Sequence, residues 1–439
     1  MSRSHAVLLI LLSAIPALAA AADIAPEPQL QAALADARER RAAVLIDFHA
    51  PWCYSCYYMA RNVLTGSEWD AVRRRAVVLE QDADSPEGAA LKARLGVKAL
   101  PSYVLLDADG RELGRILGEQ SRADFYAAVN DLLDRGGTLD ALAARVKDGG
   151  AASLAAAREV LQSYHARYDG AGGLAWFAGL PAAARAAIEA DARGQSWLAR
   201  LRFLDAAQQH DVLACMSEGP RVLDGALGCQ RPYEVDRYLA CAADAADKPL
   251  LVAQRARMLE LVERGAFGKD RCADTRSVVL TTADLHLALG DADAERTLLE
   301  RAVADVRARI GEDLGKDRNL ADNLRVYLER LARRSGDYAR LDALMVQLIA
   351  AYPEDYVYAF RHGRSLLSRG KAAEALPYLE LAAAKAYGIN RLQVAEQRVR
   401  ALRALGRDAD ARRVVAETLK ANGPWFPEEA ARLKALLQG

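Results

Sequence analysis

Between residues 29 and 137 the chain alternates stretches of helical period with short, continuous apolar runs. Gln29 to Arg41 predicts a helix, and Ala43 to Phe48 a buried strand. A second helix follows from Cys53 to about Val63, and Ser67 with Asp70 reads as a capping box opening a short third one. Ala76 to Gln81 is β-branched and apolar enough for another buried strand. Ser85-Pro86-Glu87 supplies a cap and an N1 proline for a helix that ends at Gly96. Tyr103–Leu106 and Glu112–Leu117 flank Asp107-Ala108-Asp109-Gly110, a hairpin signature. Ser121 with Asp124 caps a last helix that stops before Gly136-Gly137. After a leading helix, the order β-α-β-α-β-β-α predicts a compact α/β layer domain over residues 24–137.

From residue 138 onward helical patterns dominate. Residues 138–274 read as helices, with Gly170-Ala171-Gly172-Gly173 as a loop. Residues 275–439 carry a repeat. Gly336, Gly370 and Gly406 each open a polar turn between helices, and they are spaced 34 and 36 residues apart. Gly290 marks an earlier copy, 46 residues before Gly336, with Gly311–Asp317 as the insertion. A period near 34 with helix–turn–helix units indicates tetratricopeptide-like repeats. In the unit from Tyr356 to Lys385, Gly363, Ala375 and Ala382 are small where paired helices approach, while Tyr378 and Leu379 fill the core. Stacked units of this kind form a concave surface that accepts a peptide or another protein, or they serve as a platform.

Composition narrows the setting. The 439 residues carry 59 basic and 59 acidic side chains, so no charge excess points to nucleic acid as a partner. Arg3 and His5 precede the apolar segment Ala6–Ile15, and Pro16 to Ala22 offers small residues for cleavage after Ala19 or Ala22. Residues 1–22 therefore read as a secretory signal, which predicts an exported, periplasmic protein with no stable membrane insertion. Cys215, Cys229, Cys241 and Cys272 are then candidates for two structural disulfides, or remain four buried thiols. Sequence proximity favours Cys215–Cys229 with Cys241–Cys272, although four cysteines permit three pairings. His165, His210, His286 and His362 are scattered without a ligand pattern, and no metal site is expected.

The chemistry concentrates in Trp52-Cys53-Tyr54-Ser55-Cys56, a dithiol at the end of the first apolar run. Half of a zinc site reads the same way, but no second pair lies at finger spacing. If the helix begins at Cys53, the positive field at its N-terminus favours thiolate over thiol. Asp47-Phe48-His49-Ala50-Pro51-Trp52-Cys53 with Cys56, followed downstream by Gly96-Val97-Lys98-Ala99-Leu100-Pro101-Ser102, resembles the thioredoxin superfamily. Asn62 to Trp69 is similar to the periplasmic C-terminal domain of DsbD-type thiol:disulfide reductases.

The resemblance implies Cys53 as the attacking thiolate, Cys56 as the resolving thiol and Asp47 as a buried acid relaying protons to and from Cys56. Asp47 as a strand-end residue that caps or faces solvent is the plainer alternative. The resemblance also implies a cis Pro101 facing the dithiol, with Trp52 and Leu100 against the substrate; a trans proline opening a strand is the alternative. Tyr54-Ser55 departs from the family's Gly-Pro spacer and Tyr57 from its basic residue, so the direction of electron flow stays open. His49 is read as packed or as tuning the thiolate. Tyr54, Tyr57 and Tyr58 form either a docking surface or ordinary helix packing.

The expected function is a protein-disulfide reductase needing no organic cofactor, supplied by an upstream thiol donor, with the repeats recruiting a disulfide-containing protein. The competing expectation is a periplasmic assembly scaffold, in which the thioredoxin-like domain is a docking module or a redox sensor.

Overall fold

The computed structural model describes residues 27–135, 137–242 and 245–438. The proposed signal segment 1–22 lies outside them. The N-terminal region contains α1 (Pro28–Arg40), β1 (Ala43–His49), α2 (Tyr54–Asn62), α3 (Gly66–Arg75), β2 (Ala76–Asp82), α4 (Pro86–Arg94), β3 (Ser102–Leu106), β4 (Glu112–Leu117) and α5 (Arg122–Asp134). The strands form one sheet in the order β2-β1-β3-β4. β1 pairs parallel to β2 and antiparallel to β3, and β4 closes the hairpin with β3.

The central position of β1 explains its apolar sequence, because both faces are covered. Side chains alternate between faces along a strand. Val44, Ile46 and Phe48 pack with Leu30, Leu34 and Leu91 from α1 and α4. Leu45 turns the other way, toward Met59, Trp69 and Phe125 from α2, α3 and α5. By the same alternation Asp47 belongs to this second face, the one that carries the dithiol helix.

Local signals account for most boundaries. Ser85 accepts the Gly88 amide at 2.9 Å, and Ser121 caps α5 through the Asp124 amide. The capping box expected at Ser67 does not form. α3 begins two residues earlier than that box would place it, with Thr65 at the N-cap position, and the Ser67 hydroxyl lies toward Glu68 at 3.5 Å. Arg122 orders that corner instead, donating to the Thr65 carbonyl at 2.6 Å and the Val63 carbonyl at 3.1 Å.

From Leu139 onward the described elements are helices. Gly336 and Gly370, at φ 77° and 78°, end the helices Arg318–Ser335 and Val357–Ser368 in the left-handed region that glycine adopts without a Cβ clash. A Cβ on Gly363 would stand 2.7 Å from Leu379 Cγ, so the two helices of that unit touch where the sequence is smallest. The expected loop at Gly170–Gly173 is instead the first turn of the helix Gly170–Ala178, capped by Asp169. Its glycines serve close packing: a Cβ on Gly170 would meet the Asp205 backbone at 2.6 Å.

The cysteine pairing also differs from the expectation. The disulfides are Cys215–Cys241 and Cys229–Cys272, with Cα separations of 6.2 and 5.6 Å. Cys215 and Cys241 sit on the adjacent packed helices Val212–Leu223 and Arg231–Ala242. Cys229 lies in the short turn Gly228–Gln230 between those helices and meets the segment after Ala266. Helix packing, not distance along the chain, selects the partners. Among the described residues, no helix is long and apolar enough to cross a membrane.

Candidate redox site

Cys53 occupies the N-cap of α2, with the extended backbone that this position requires. Its sulfur accepts the Cys56 amide at 3.1 Å and is joined to the Cys56 sulfur in a disulfide. In the dithiol state the same amide and the helix N-terminus favour negative charge on Cys53. Cys56 lies in the first turn, and Ala50, Cys53, Cys56 and Leu100 form one buried cluster. Cys53 is 3% exposed and Cys56 8%.

The Leu100–Pro101 peptide bond is cis. The Pro101 carbonyl accepts the Gly118 amide at 2.9 Å, which ties this loop to the end of β4. Asp47 is 9% exposed and stands in register between Glu80 of β2 and Tyr103 of β3. Burial first, and then the Glu80 charge, push its carboxyl up to about 7. An acid near neutrality holds or yields a proton under ordinary conditions. His49 is partly buried, and its carbonyl accepts the Ala83 amide at 2.8 Å.

The helical region closes over this site. Trp52 is 41% exposed, but its indole donates to Asp84 at 2.7 Å and its carbonyl accepts from Arg361 at 3.1 Å. Asp84 also accepts from Asn390 at 3.0 Å, and its carbonyl accepts the Ile389 amide at 3.0 Å. Arg318 donates to the Pro51 carbonyl at 3.3 Å, and Asn319 to the Tyr54 carbonyl at 3.0 Å. The Tyr54 ring lies under the Arg276 guanidinium at 3.5 Å and the Tyr57 ring under that of Arg318 at 4.3 Å. Tyr54 and Tyr57 therefore pack within the chain. Asp322 balances this arginine-rich wall, pairing with Arg276, Arg325 and Arg361.

Close approach at the junction depends on Gly388. A Cβ there would fall 1.9 Å from the Asp84 carbonyl oxygen, at φ 52°.

The structure thus brings Cys53, Cys56 and Leu100 into one cluster next to the cis Pro101, with Asp47 on the sheet face that supports α2. The partners Asp84, Arg318, Asn319, Arg361 and Asn390 escaped sequence reasoning. Those in the helical region lie more than 260 residues from the dithiol, in units whose repeat pattern marks only packing positions. Glu119, buried beside Ser55, was also missed, since no motif includes it. His165 and Glu234 approach at 3.7 Å in the helical region, far in sequence from the dithiol.

The thioredoxin-like domain family matches residues 30–133. The thiol:disulfide interchange protein DsbD of Yersinia enterocolitica is 33% identical over 113 residues, covering 25% of this chain and 19% of that relative. DsbD of Cronobacter sakazakii is 34% identical over 114 residues, covering 25% and 20%. The chain thus spans about a fifth of the length of these curated relatives. A thioredoxin from Thermus thermophilus, solved in solution, shares 32% identity over 24% of this chain and 85% of its own, at a TM-score of 0.23. Residues 30–133 of this chain form a thioredoxin-like domain related to DsbD, followed by a largely all-helical region.

Proposed function

We propose that this chain is an exported, periplasmic thiol–disulfide oxidoreductase, acting as a protein-disulfide reductase through Cys53 and Cys56, with a tetratricopeptide-like region that governs access to them. One observation carries the reading: a disulfide capping α2 beside a cis proline, with a carboxyl raised to about 7 on the supporting sheet face.

The exchange runs on two sulfurs and needs no organic cofactor. The Cys53 thiolate attacks one sulfur of a partner disulfide, and the other partner sulfur leaves as thiolate. Asp47 accepts the Cys56 proton, and Cys56 attacks the Cys53 sulfur. The partner's second sulfur leaves, both partner sulfurs become thiols, and the chain is left with the Cys53–Cys56 disulfide. An upstream thiol donor restores the dithiol by the reverse sequence. Trp52, Leu100 and Pro101 line the edge where an extended substrate segment would lie.

The test is trapping in the exporting cell. Cys56→Ser should accumulate Cys53-linked protein adducts on non-reducing gels, and Cys53→Ser should remove them. Identical bands from both variants, or none, would refute the reading.

A second reading rests on the closure itself. With Cys53 3% exposed and the helical region bonded to Pro51, Trp52 and Tyr54, the dithiol could act as a redox sensor or docking module whose state sets the hold of one region on the other. Equal protease sensitivity of the oxidised and reduced chain would dismiss the sensor.

A further inference from the structure

Glu119 lies in the turn after β4, and the exchange steps above leave it without a task. Its segment is fixed from two directions. The Gly118 amide donates to the carbonyl of cis Pro101, and the Gln120 amide approaches the Met59 sulfur at 3.3 Å. Between these anchors the Glu119 side chain is 6% exposed, and Ser55, the residue preceding Cys56, is among the groups that act on its carboxyl. Its Oε2 has no hydrogen-bond partner. Around it stand Tyr54 and Tyr58 of α2, Tyr103 of β3, and Tyr233, Asp274 and Arg276 of the helical region. Arg276, the cation of this group, is already paired with Asp322 at 2.5 Å.

We propose that Glu119, buried between the cis-proline loop and the dithiol helix, is a second acid of the redox site and takes up a proton when Cys53–Cys56 is reduced. The proposal rests on the reading that this disulfide cycles. Burial, reinforced by the Asp274 charge, holds the carboxyl well above the usual carboxylate range. Reduction adds two electrons to the disulfide, leaving a thiolate on Cys53 and a thiol on Cys56 once Cys56 has taken a proton from solvent. New negative charge near a buried carboxyl makes ionisation harder still. Over the pH range where Glu119 is ionised beside the disulfide but protonated beside the thiolate, reduction consumes one additional proton from solvent. Glu119 is thus a positioning residue, since it acts on the dithiol through its charge.

The experiment equilibrates the full chain with glutathione between about pH 5 and pH 9 and reads Cys53 and Cys56 by alkylation and mass spectrometry. One added proton steepens the equilibrium constant by a factor of about ten per pH unit within its range. Glu119→Gln keeps the size of the side chain and cannot titrate, so that segment should vanish while the Asp47 segment remains. A Glu119→Gln profile superimposable on the parent would overturn the proposal. A purely structural role would lower stability in Glu119→Ala and leave the profile shape intact. Should the pair fail to equilibrate at every pH, the oxidoreductase reading falls as well.

Discussion

The thioredoxin-like sheet and the junction that covers its dithiol are held together by different means. The sheet is sealed by apolar side chains from both faces, and β1 is buried along nearly its whole length. The junction is a set of directed polar contacts: Arg318, Asn319 and Arg361 on main-chain carbonyls of the dithiol loop, and Asp84 shared by Trp52 and Asn390. Apolar burial is stabilising roughly in proportion to area and lacks direction. Buried polar contacts exchange water partners for protein partners, and each contributes about 1 kcal/mol. The sheet is therefore built to stay closed. The junction positions the two regions accurately and costs far less to open, as suits a surface over a reactive disulfide.

The largest effect should come from the sheet. Phe125 is fully buried, with its ring 5.0 Å from Tyr103, 5.4 Å from Tyr126 and 6.4 Å from Trp69. Phe125→Ala should destabilise the thioredoxin-like domain by about 3–5 kcal/mol. Hydrogen exchange should show lost protection in β1 and β3, with the helix Gly388–Ala404 little changed. Equal loss in that helix would mean that the two regions unfold as one unit and would break the contrast.

Asp47 comes next, because it places a polar group inside the apolar half of the comparison. Its carboxyl rises from an ordinary value of 3.8 to about 7 in the folded oxidised chain. The unfolded chain releases this proton at lower pH than the folded one. Stability is therefore unaffected below about pH 4, falls as pH rises to 7, and stays reduced above it. A shift of about 3 units corresponds to roughly 4 kcal/mol. Asp47→Asn, which does not titrate, should gain on the parent between pH 4 and pH 7 and hold that gain in alkali. Urea midpoints across this range check the sign; a constant offset would deny the buried acid.

How much of this was legible in the sequence follows the same division. The strands, the dithiol helix and the hairpin announced themselves because strand burial and helix caps leave local patterns, as at Ala43–Phe48 and Ser121–Asp124. Ser67 misled because the true start of α3 is set by Arg122, a residue 55 positions later. The glycines at 170–173 looked like a loop because close helix packing and chain reversal favour the same residue. The cysteine pairing depended on which helices became neighbours, information that proximity along the chain does not carry. Cys53, Cys56 and Pro101 were found through resemblance to a family, and that resemblance ended at the helical region. Asn319 and Glu119 belong to no motif, and folding alone brings them to the site.

The smallest predicted effect on stability probes the junction most directly. Asn319 is buried and donates to the Tyr54 carbonyl at 3.0 Å, while its own side-chain oxygen lies 3.4 Å from the Asn323 amide nitrogen. Asn319→Ala leaves the Tyr54 carbonyl without that donor and should cost about 1 kcal/mol. The sheet does not use this contact, so exchange protection in β1 and β3 should match the parent. Access to the dithiol should nevertheless change. Opening the junction by about 1 kcal/mol multiplies an open population several-fold, and alkylation of reduced Cys53 should accelerate by a similar factor. Unchanged alkylation, with the stability loss present, would mean that Cys53 is reached without parting the two regions. The polar junction would then be a fixed wall beside the dithiol and no gate across it.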